Sequence, residues 1–348
     1  MRRCANIVAK DSSLGLVIIS ATYNTTNLLE EICSLTSLEA GASSALAKNL
    51  VDRHSSMAKE LGLNAEQLKD YAYEAEKLLT SITPIELSKS CDPRQKDLIL
   101  SWGERVSSFL FYCVLENLLD QERQMSWLDA CDYIATDSSF GLAKPLTEKI
   151  KYRVESIIKK PFEGGELFVT QGFIGRDELG NVTTLGREGS DYSAALFAQA
   201  LEALEVQIWT DVNGIFECDP NIVAHARKIP YMSYDQATRM AKSGAKVLFG
   251  KTLSPLREQQ IPVFVRNSQE PLDEGSLISF KPFQGKDLLS VCIKKRSDGL
   301  IVTLIGENVD MIEIEQSEID RGEEFRSFFI PGNDECETLN LWYTRYFS

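Results

Sequence analysis

Hydrophobic positions along the chain fall into two alternating kinds of segment. Short apolar runs at residues 14–20, 125–128, 167–170, 206–210 and 261–266 have the length and β-branched content of buried strands. Between them lie stretches whose apolar residues recur every three or four positions. One covers about 43–82, and within it 65–79 alternates charged residues with Leu68, Tyr71, Ala72, Ala75, Leu78 and Leu79, which predicts an amphipathic surface helix. A second runs over about 95–121 and carries Leu98, Trp102, Val106, Phe109, Leu110, Val114 and Leu118. Strands alternating with helices predict an α/β fold built on a doubly wound, mostly parallel sheet. After Lys281 the pattern changes to strand-like runs at 288–293, 300–305 and 325–330, followed by an amphipathic helix over about 334–347. This βββα tail predicts a small α+β appendage.

Composition narrows the function classes. The 348 residues are enough for two domains or one large one. The net charge of −14 sets up an acidic field that disfavours nucleic acid and anionic membranes, so an anionic ligand must meet local cations. Eight cysteines without a C-x-x-C pair, and only His54 and His225, leave little for a zinc site or for Ser-His-Asp or Cys-His chemistry, and no metal-binding residues are predicted. The thiols read as reduced and mostly buried. No apolar run reads as a membrane span, and Met1-Arg2-Arg3 is not followed by a signal-peptide core, so the expectation is a cytoplasmic protein.

The densest chemistry lies between Gln171 and Asp219. Gly186 and Gly189 flank Arg187 in a turn where backbone N–H groups can converge on an anion. Ser190 and Asp191 then open a helix over about 191–204, whose N-terminal dipole favours bound phosphate. The strand at 206–210 delivers Thr210 and Asp211 to its carboxyl end, where open α/β sheets bind ligands. Arg187 suits a bidentate grip on a carboxylate. Asp191 and Glu104 suit an ammonium group, although capping alone accounts for Asp191 and the pattern alone places Glu104 on an exposed helix stripe. Thr210 and Asp211 suit a nucleotide. Lys246, in Ser243-Gly244-Ala245-Lys246, offers a cation for phosphate, and by pattern alone it is an ordinary solvated lysine.

In order and content these segments resemble aspartokinase, a member of the amino-acid-kinase superfamily. The resemblance runs through VIISATYNTTNLL, SWGER, GFIGRDELGNVTTLGREGSDYSAALFAQAL, WTDVNGIFECDP, SYDQA, GAKVLFGKTL and IPVFVRNSQEPLDEGSLI, and so covers nearly the whole chain. It implies an amino-acid-kinase-like catalytic domain at 1–283, with an aspartate-binding part over about 1–175 and a nucleotide-binding part over about 176–283. Residues 284–348 would form a reduced ACT-like domain. It implies Thr26, Glu104, Phe173, Arg187, Ser190 and Asp191 as aspartate contacts, with Ser20 in the adjoining loop. On the ATP side it implies Thr210, Asp211, Phe216 and Lys246, to which the Gly186 and Gly189 turn is added; Arg187 and Asp191 are the residues expected to act in catalysis. The implied reaction is ATP plus L-aspartate giving 4-phospho-L-aspartate and ADP, on the route to lysine, threonine and methionine. Mg²⁺ would arrive with ATP, and a homodimer is allowed.

The sequence departs from the family pattern in places. Asn24 stands where a glycine is usual, Asn221 where the Asp-Pro-Arg motif has its arginine, and Phe249-Gly250 where His-Pro is usual. The family begins with a strand and a Lys-Phe-Gly-Gly-Thr-Ser loop, whereas MRRCANIVAK corresponds to the helix after it. The leading expectation is an aspartokinase whose reading frame starts upstream of Met1. The alternative is a catalytically impaired aspartate- and nucleotide-binding relative, serving as a regulatory subunit. A kinase of glutamate, carbamate or a nucleotide fits the Gly-Arg-x-Gly-Ser-Asp run less well.

Overall fold

The computed structural model describes residues 1–35, 41–120, 122–245, 250–280, 288–307, 309–314, 316, 318–322 and 324–347. The chain divides into two compact units, Met1–Leu201 and Glu202–Ser348.

The first unit contains α1 (Arg2–Lys10), β1 (Leu16–Ile19), α2 (Thr25–Leu35), α3 (Ala42–Leu61), α4 (Ala65–Ser88), α5 (Pro93–Glu116), β2 (Met125–Leu128), α6 (Thr147–Ile157), α7 (Lys159–Glu163), β3 (Leu167–Gln171), β4 (Ile174–Arg176), β5 (Val182–Thr184) and α8 (Gly189–Leu201). Strands β1, β3 and β2 form a parallel sheet in that order, with Leu16 opposite Phe168 and Met125 opposite Leu167. Every residue of the central strand β3 is buried, because both faces of the sheet are covered. Leu167 and Val169 pack with Ala5, Val8, Phe111, Val114 and Leu115 from α1 and α5. Phe168 packs on the other side with Ile150, Val154, Leu196 and Phe197 from α6 and α8. A further core joins α2, α3, α4 and α5 through Leu29, Ile32, Leu50, Tyr71, Leu78, Ile82, Ile99, Trp102 and Val106. Each such fully buried side chain contributes roughly 1.5–3 kcal/mol relative to exposure.

The single helical stretch expected over 43–82 is two helices. Gly62 ends α3 in the left-handed region (φ +85°), and Asn64 opens α4 by accepting from the N–H groups of Glu66 and Gln67 while Gln67 answers with its side chain. The next helix begins the same way: Asp92 accepts from Gln95 N–H and Pro93 sits at the first helical position. Contrary to the sequence expectation, α5 is long and apolar enough to cross a membrane by length and composition alone. Most of its apolar residues, Ile99, Leu100, Trp102, Val106, Leu110, Phe111, Val114 and Leu115 among them, are buried in the core of α2–α5 or the core against β3, which explains that composition as a central helix.

The second unit contains β6 (Val206–Thr210), β7 (Ile215–Phe216), β8 (Lys228–Ile229), β9 (Tyr231–Ser233), α9 (Tyr234–Lys242), α10 (Gly250–Glu258), β10 (Val263–Asn267), β11 (Ser276–Ser279), β12 (Ser290–Lys295), β13 (Leu300–Ile305), β14 (Glu318–Gly322), β15 (Phe325–Ile330) and α11 (Glu335–Phe347). One sheet has the order β6-β10-β11-β9; β6 runs parallel to β10, with Thr210 opposite Asn267, and β10 runs antiparallel to β11. The tail is an antiparallel sheet ordered β12-β13-β15-β14. Against it α11 places Leu339, Trp342, Tyr343 and Phe347 among Leu300, Val302, Leu304 and Phe328. The tail is therefore ββββα. Its extra strand β14, with the sequence Glu-Ile-Asp-Arg-Gly, is an exposed polar edge whose pairing carries no hydrophobic alternation. Between β13 and β14 the described residues include a single 3₁₀ turn, Val309–Met311.

Candidate active site

In the first unit a cleft of about 650 Å³ gathers Ser20, Thr26, Glu104, Phe173, Gly186, Arg187, Gly189, Ser190 and Asp191. The seven residues assigned to aspartate, scattered over more than 170 positions of sequence, thus share one cavity. The two glycines assigned to phosphate lie in the same cleft.

The first wall is the turn after β1. Asn24 takes a left-handed backbone (φ +59°), which asparagine tolerates better than most residues. The turn is held by a directed chain of hydrogen bonds. Arg53 Nη2 donates to Thr25 Oγ1 (2.6 Å), and the Thr25 and Thr22 hydroxyls lie 2.6 Å apart. Thr22 Oγ1 lies 2.8 Å from His54 Nε2, and His54 Nδ1 lies 2.9 Å from the Leu50 carbonyl. The carbonyl can only accept, so Nδ1 carries the proton and Nε2 accepts from Thr22. His54 is fully buried, and burial pushes its pKa below the usual value, consistent with a neutral ring.

The second wall is α5, which presents Lys96, Asp97, Leu100 and Glu104 along one face. Gly103 lets the β1 turn approach: a Cβ there would lie 3.0 Å from Thr25 Cγ2 and 3.1 Å from Ala21 Cβ. The approach brings Ala21 N–H within 3.4 Å of Glu104 Oε1. Glu104 is 3% exposed, and the expectation of an exposed stripe fails because α5 is packed at Trp102, Gly103, Val106 and Ser107 around it. Its Oε2 is buried with no hydrogen-bond partner. Burial, partly offset by backbone N–H groups including that of Ala21, pushes the carboxyl pKa up to about 8. An acid with one unmatched oxygen at a cleft wall is a ready partner for an ammonium group.

The third wall is the β3–β4 corner and the turn from β5 into α8. Phe173 is left-handed (φ +68°), and its N–H donates to Ser193 Oγ at 2.9 Å. Gly189 has its packing reason here, since a Cβ would lie 2.7 Å from Phe173 Cδ2. Gly186 has φ +82° and Glu188 φ +55°, so the chain turns sharply on either side of Arg187. Arg187 is 81% exposed by side chain, with Glu188 3.9 Å away. The first bond of α8 runs from Tyr192 N–H to the Glu188 carbonyl (3.2 Å), so the N–H groups before it lie outside the helical ladder at the positive helix end. Burial, and then the neighbouring Glu188, push the Asp191 carboxyl up to about 6.

Sequence reasoning missed several lining residues: Glu30, Lys96, Asp97, Phe140, Gly141 and Thr184. Lys96 and Glu30 form an ion pair at 3.1 Å. Asp97 precedes Glu104 by seven positions, two helical turns on the same face, and that spacing is the signal that could have found it.

The remaining predicted residues belong to the second unit. Thr210 ends β6; its carbonyl accepts from Ser268 N–H (2.9 Å), and its hydroxyl lies 3.2 Å from Asp211 Oδ1. Phe216 lies on β7 and is half-buried. Lys246 and Phe249 fall outside the described residues.

Comparison with known proteins fits this arrangement. The family model described as "Amino acid kinase family" matches residues 1–267. The lysine-sensitive aspartokinase 3 of Escherichia coli strain K12 is 36% identical over 290 residues, covering 81% of this chain and 61% of that protein. The aspartokinase of Chlamydia pneumoniae is 32% identical over 280 residues, covering 78% and 58%. The chain thus spans roughly three fifths of the length of these curated relatives. The crystal structure of E. coli aspartokinase III in complex with aspartate and ADP superposes with a TM-score of 0.88 at 24% identity, over 99% of this chain and 96% of that one, a likeness of fold. With three quarters of its length matched by the family model and an α/β fold of parallel sheets to go with it, the chain belongs to the amino acid kinase family.

Proposed function

We propose that the chain is an aspartokinase, transferring the γ-phosphoryl group of ATP to the side-chain carboxylate of L-aspartate in amino-acid biosynthesis. One observation carries the proposal: a single cleft holds an exposed arginine, two carboxyls raised by burial and a helix N-terminus. That set complements a small molecule with two carboxylates and one ammonium. Arg187 would clamp a carboxylate through its planar fork. Glu104 and Asp191 would receive the ammonium, whose charge would draw both carboxyls back towards ionisation. Ser190 and the N–H groups at the start of α8 would steady negative charge as it develops. Phe173, Ser20 and Thr26 would close the remaining sides.

ATP supplies the phosphoryl group, with Mg²⁺ carried on its phosphates. Thr210 and Asp211 are the proposed nucleotide contacts, supported by their place at the carboxyl end of parallel strands; Phe216 and Lys246 are proposed with them by resemblance. In the step itself a side-chain carboxylate oxygen bonds to the γ-phosphorus. The bond to the bridging oxygen breaks, and ADP leaves with that electron pair. Residues 284–348 are proposed as a reduced ACT-like domain appended to a kinase domain at 1–283, supported by the antiparallel sheet and α11.

The test is incubation with MgATP and L-aspartate in the presence of hydroxylamine, which traps an acyl phosphate as its hydroxamate. Aspartate-dependent hydroxamate and ADP in equal amounts are expected. Binding of both ligands without product would favour the impaired relative, to which Asn221 in place of the family's arginine also points. Product from glutamate but not aspartate would refute the substrate.

A further inference from the structure

Asp97 belongs to the cleft wall yet no ligand role is assigned to it. It is fully buried and accepts three hydrogen bonds from two separate segments: Gly141 N–H (2.9 Å) and Thr184 N–H (2.8 Å) on Oδ2, and the Thr184 hydroxyl (2.9 Å) on Oδ1. Those segments are themselves joined. Ala143 N–H donates to the Thr184 carbonyl at 2.8 Å, and a Cβ on Gly186 would lie 2.6 Å from Leu142 Cδ1 and 3.2 Å from the Gly141 carbonyl. The Phe140–Gly141 loop and the Thr184–Gly186 segment therefore form one body, and Asp97 fastens that body to α5.

What each side of this latch carries gives it significance. Three residues after Thr184 comes Arg187, the proposed carboxylate clamp. Seven residues after Asp97 on the same helix comes Glu104, the proposed ammonium partner, about 10 Å along the axis. We propose that Asp97 is a positioning residue that sets the separation between the Arg187 turn and the Glu104 carboxyl, and so selects the length of the amino-acid dicarboxylate that fits. The proposal rests on the assignment of this cleft to an acidic amino acid. Losing the carboxylate leaves the buried Thr184 N–H and the part-buried Gly141 N–H unmatched and releases the turn while Glu104 stays in place.

The experiment is calorimetric titration of L-aspartate, L-glutamate and ATP into the full chain as wild type, Asp97→Ala and Asp97→Asn, with folding checked by circular dichroism. An asparagine oxygen can accept both N–H groups while its amide donates to the Thr184 hydroxyl, so Asp97→Asn is the conservative rescue. Asp97→Ala is expected to weaken aspartate binding by roughly tenfold to a hundredfold, to narrow the preference for aspartate over glutamate and to lower aspartate affinity more than ATP affinity. Asp97→Asn is expected to keep wild-type affinity and preference. A folded Asp97→Ala protein with wild-type aspartate affinity and preference overturns the proposal alone. A wild type that binds neither amino acid overturns the assignment of the cleft and the proposal with it. If Asp97→Ala does not fold, Thr184→Val removes one bond of the three; a smaller loss in the same direction supports the latch, and unchanged aspartate binding refutes it.

Discussion

Gly172 and Ser190 are so close that a Cβ on the glycine would lie 2.5 Å from the serine Cβ and 2.6 Å from its Oγ. No real pair of side chains approaches so near, and part of the clash is with the Cα of Ser190. The β3–β4 corner and the first turn of α8 are therefore set against each other by the absence of one methyl group. Gly172→Ala is expected to displace the start of α8, with Ser190 and Asp191, at a cost of about 1–3 kcal/mol in stability. Aspartate affinity should fall more than ATP affinity. Chemical denaturation and calorimetry together check this, and a variant with wild-type values for both would contradict the contact.

Glu104 gives a pH signature with a definite sign. Its pKa is raised from the ordinary carboxylate range to about 8, so between those values the folded state holds a proton that the unfolded state has lost. Its contribution therefore lowers stability as pH rises from about 5 to 8. Glu104→Gln should raise the melting temperature at pH 8 and change it little near pH 4. Binding of an ammonium group favours the ionised carboxyl, so aspartate binding at pH 7 should release a proton. Titrations in buffers of different ionisation enthalpy measure that proton, and its persistence in Glu104→Gln would assign it elsewhere.

His54 behaves in the opposite sense. Burial depresses its pKa below the ordinary value of about 6.5, so the folded state binds fewer protons than the unfolded state just below that pH. Its contribution is fully present above about pH 6.5 and is lost as pH falls through the depressed value. His54→Phe leaves the Thr22 hydroxyl without its acceptor and should cost about 1–2 kcal/mol at pH 7.5. The difference between variant and wild type should shrink at pH 5.5. Melting curves at the two pH values decide the matter; a constant difference would mean that the folded ring titrates at its ordinary value and is not depressed by burial.

Much of the molecule is legible in its hydrophobic pattern, and the exceptions have physical causes. The runs at 125–128, 206–210, 300–305 and 325–330 coincide with β2, β6, β13 and β15, since strands with a covered face stand out by their density of apolar and β-branched residues even where Ser126, Gln207, Arg326 or Ser327 interrupts them. Strand β14 is polar throughout except for one exposed isoleucine, so nothing in its sequence separates it from a loop. The break between α3 and α4 is written in Gly62-Leu63-Asn64 and in Gln67, but helical periodicity on both sides conceals it. Glu104 shows the limit most clearly. A charged residue inside an apolar helix reads as a solvated stripe, and only the packing of α2, α4 and the sheet around α5 reveals a buried acid. Nine of the cleft residues, from Ser20 to Asp191, carry motif signals one at a time, whereas Lys96, Asp97 and Thr184 do not. Their convergence, and the latch formed by Asp97, depend on contacts between residues 44 to 87 positions apart, which no local pattern encodes.

The central claim is that the cleft beneath Arg187 binds L-aspartate. Its most direct test is calorimetric titration of L-aspartate into the wild type and into Arg187→Ala. Arg187 is largely exposed, so its removal should leave the fold intact while removing the carboxylate clamp. Saturable binding by the wild type and a loss of roughly a hundredfold or more in the variant are predicted. Equal affinity in the two proteins would contradict the clamp, and no binding in the wild type would contradict the site itself.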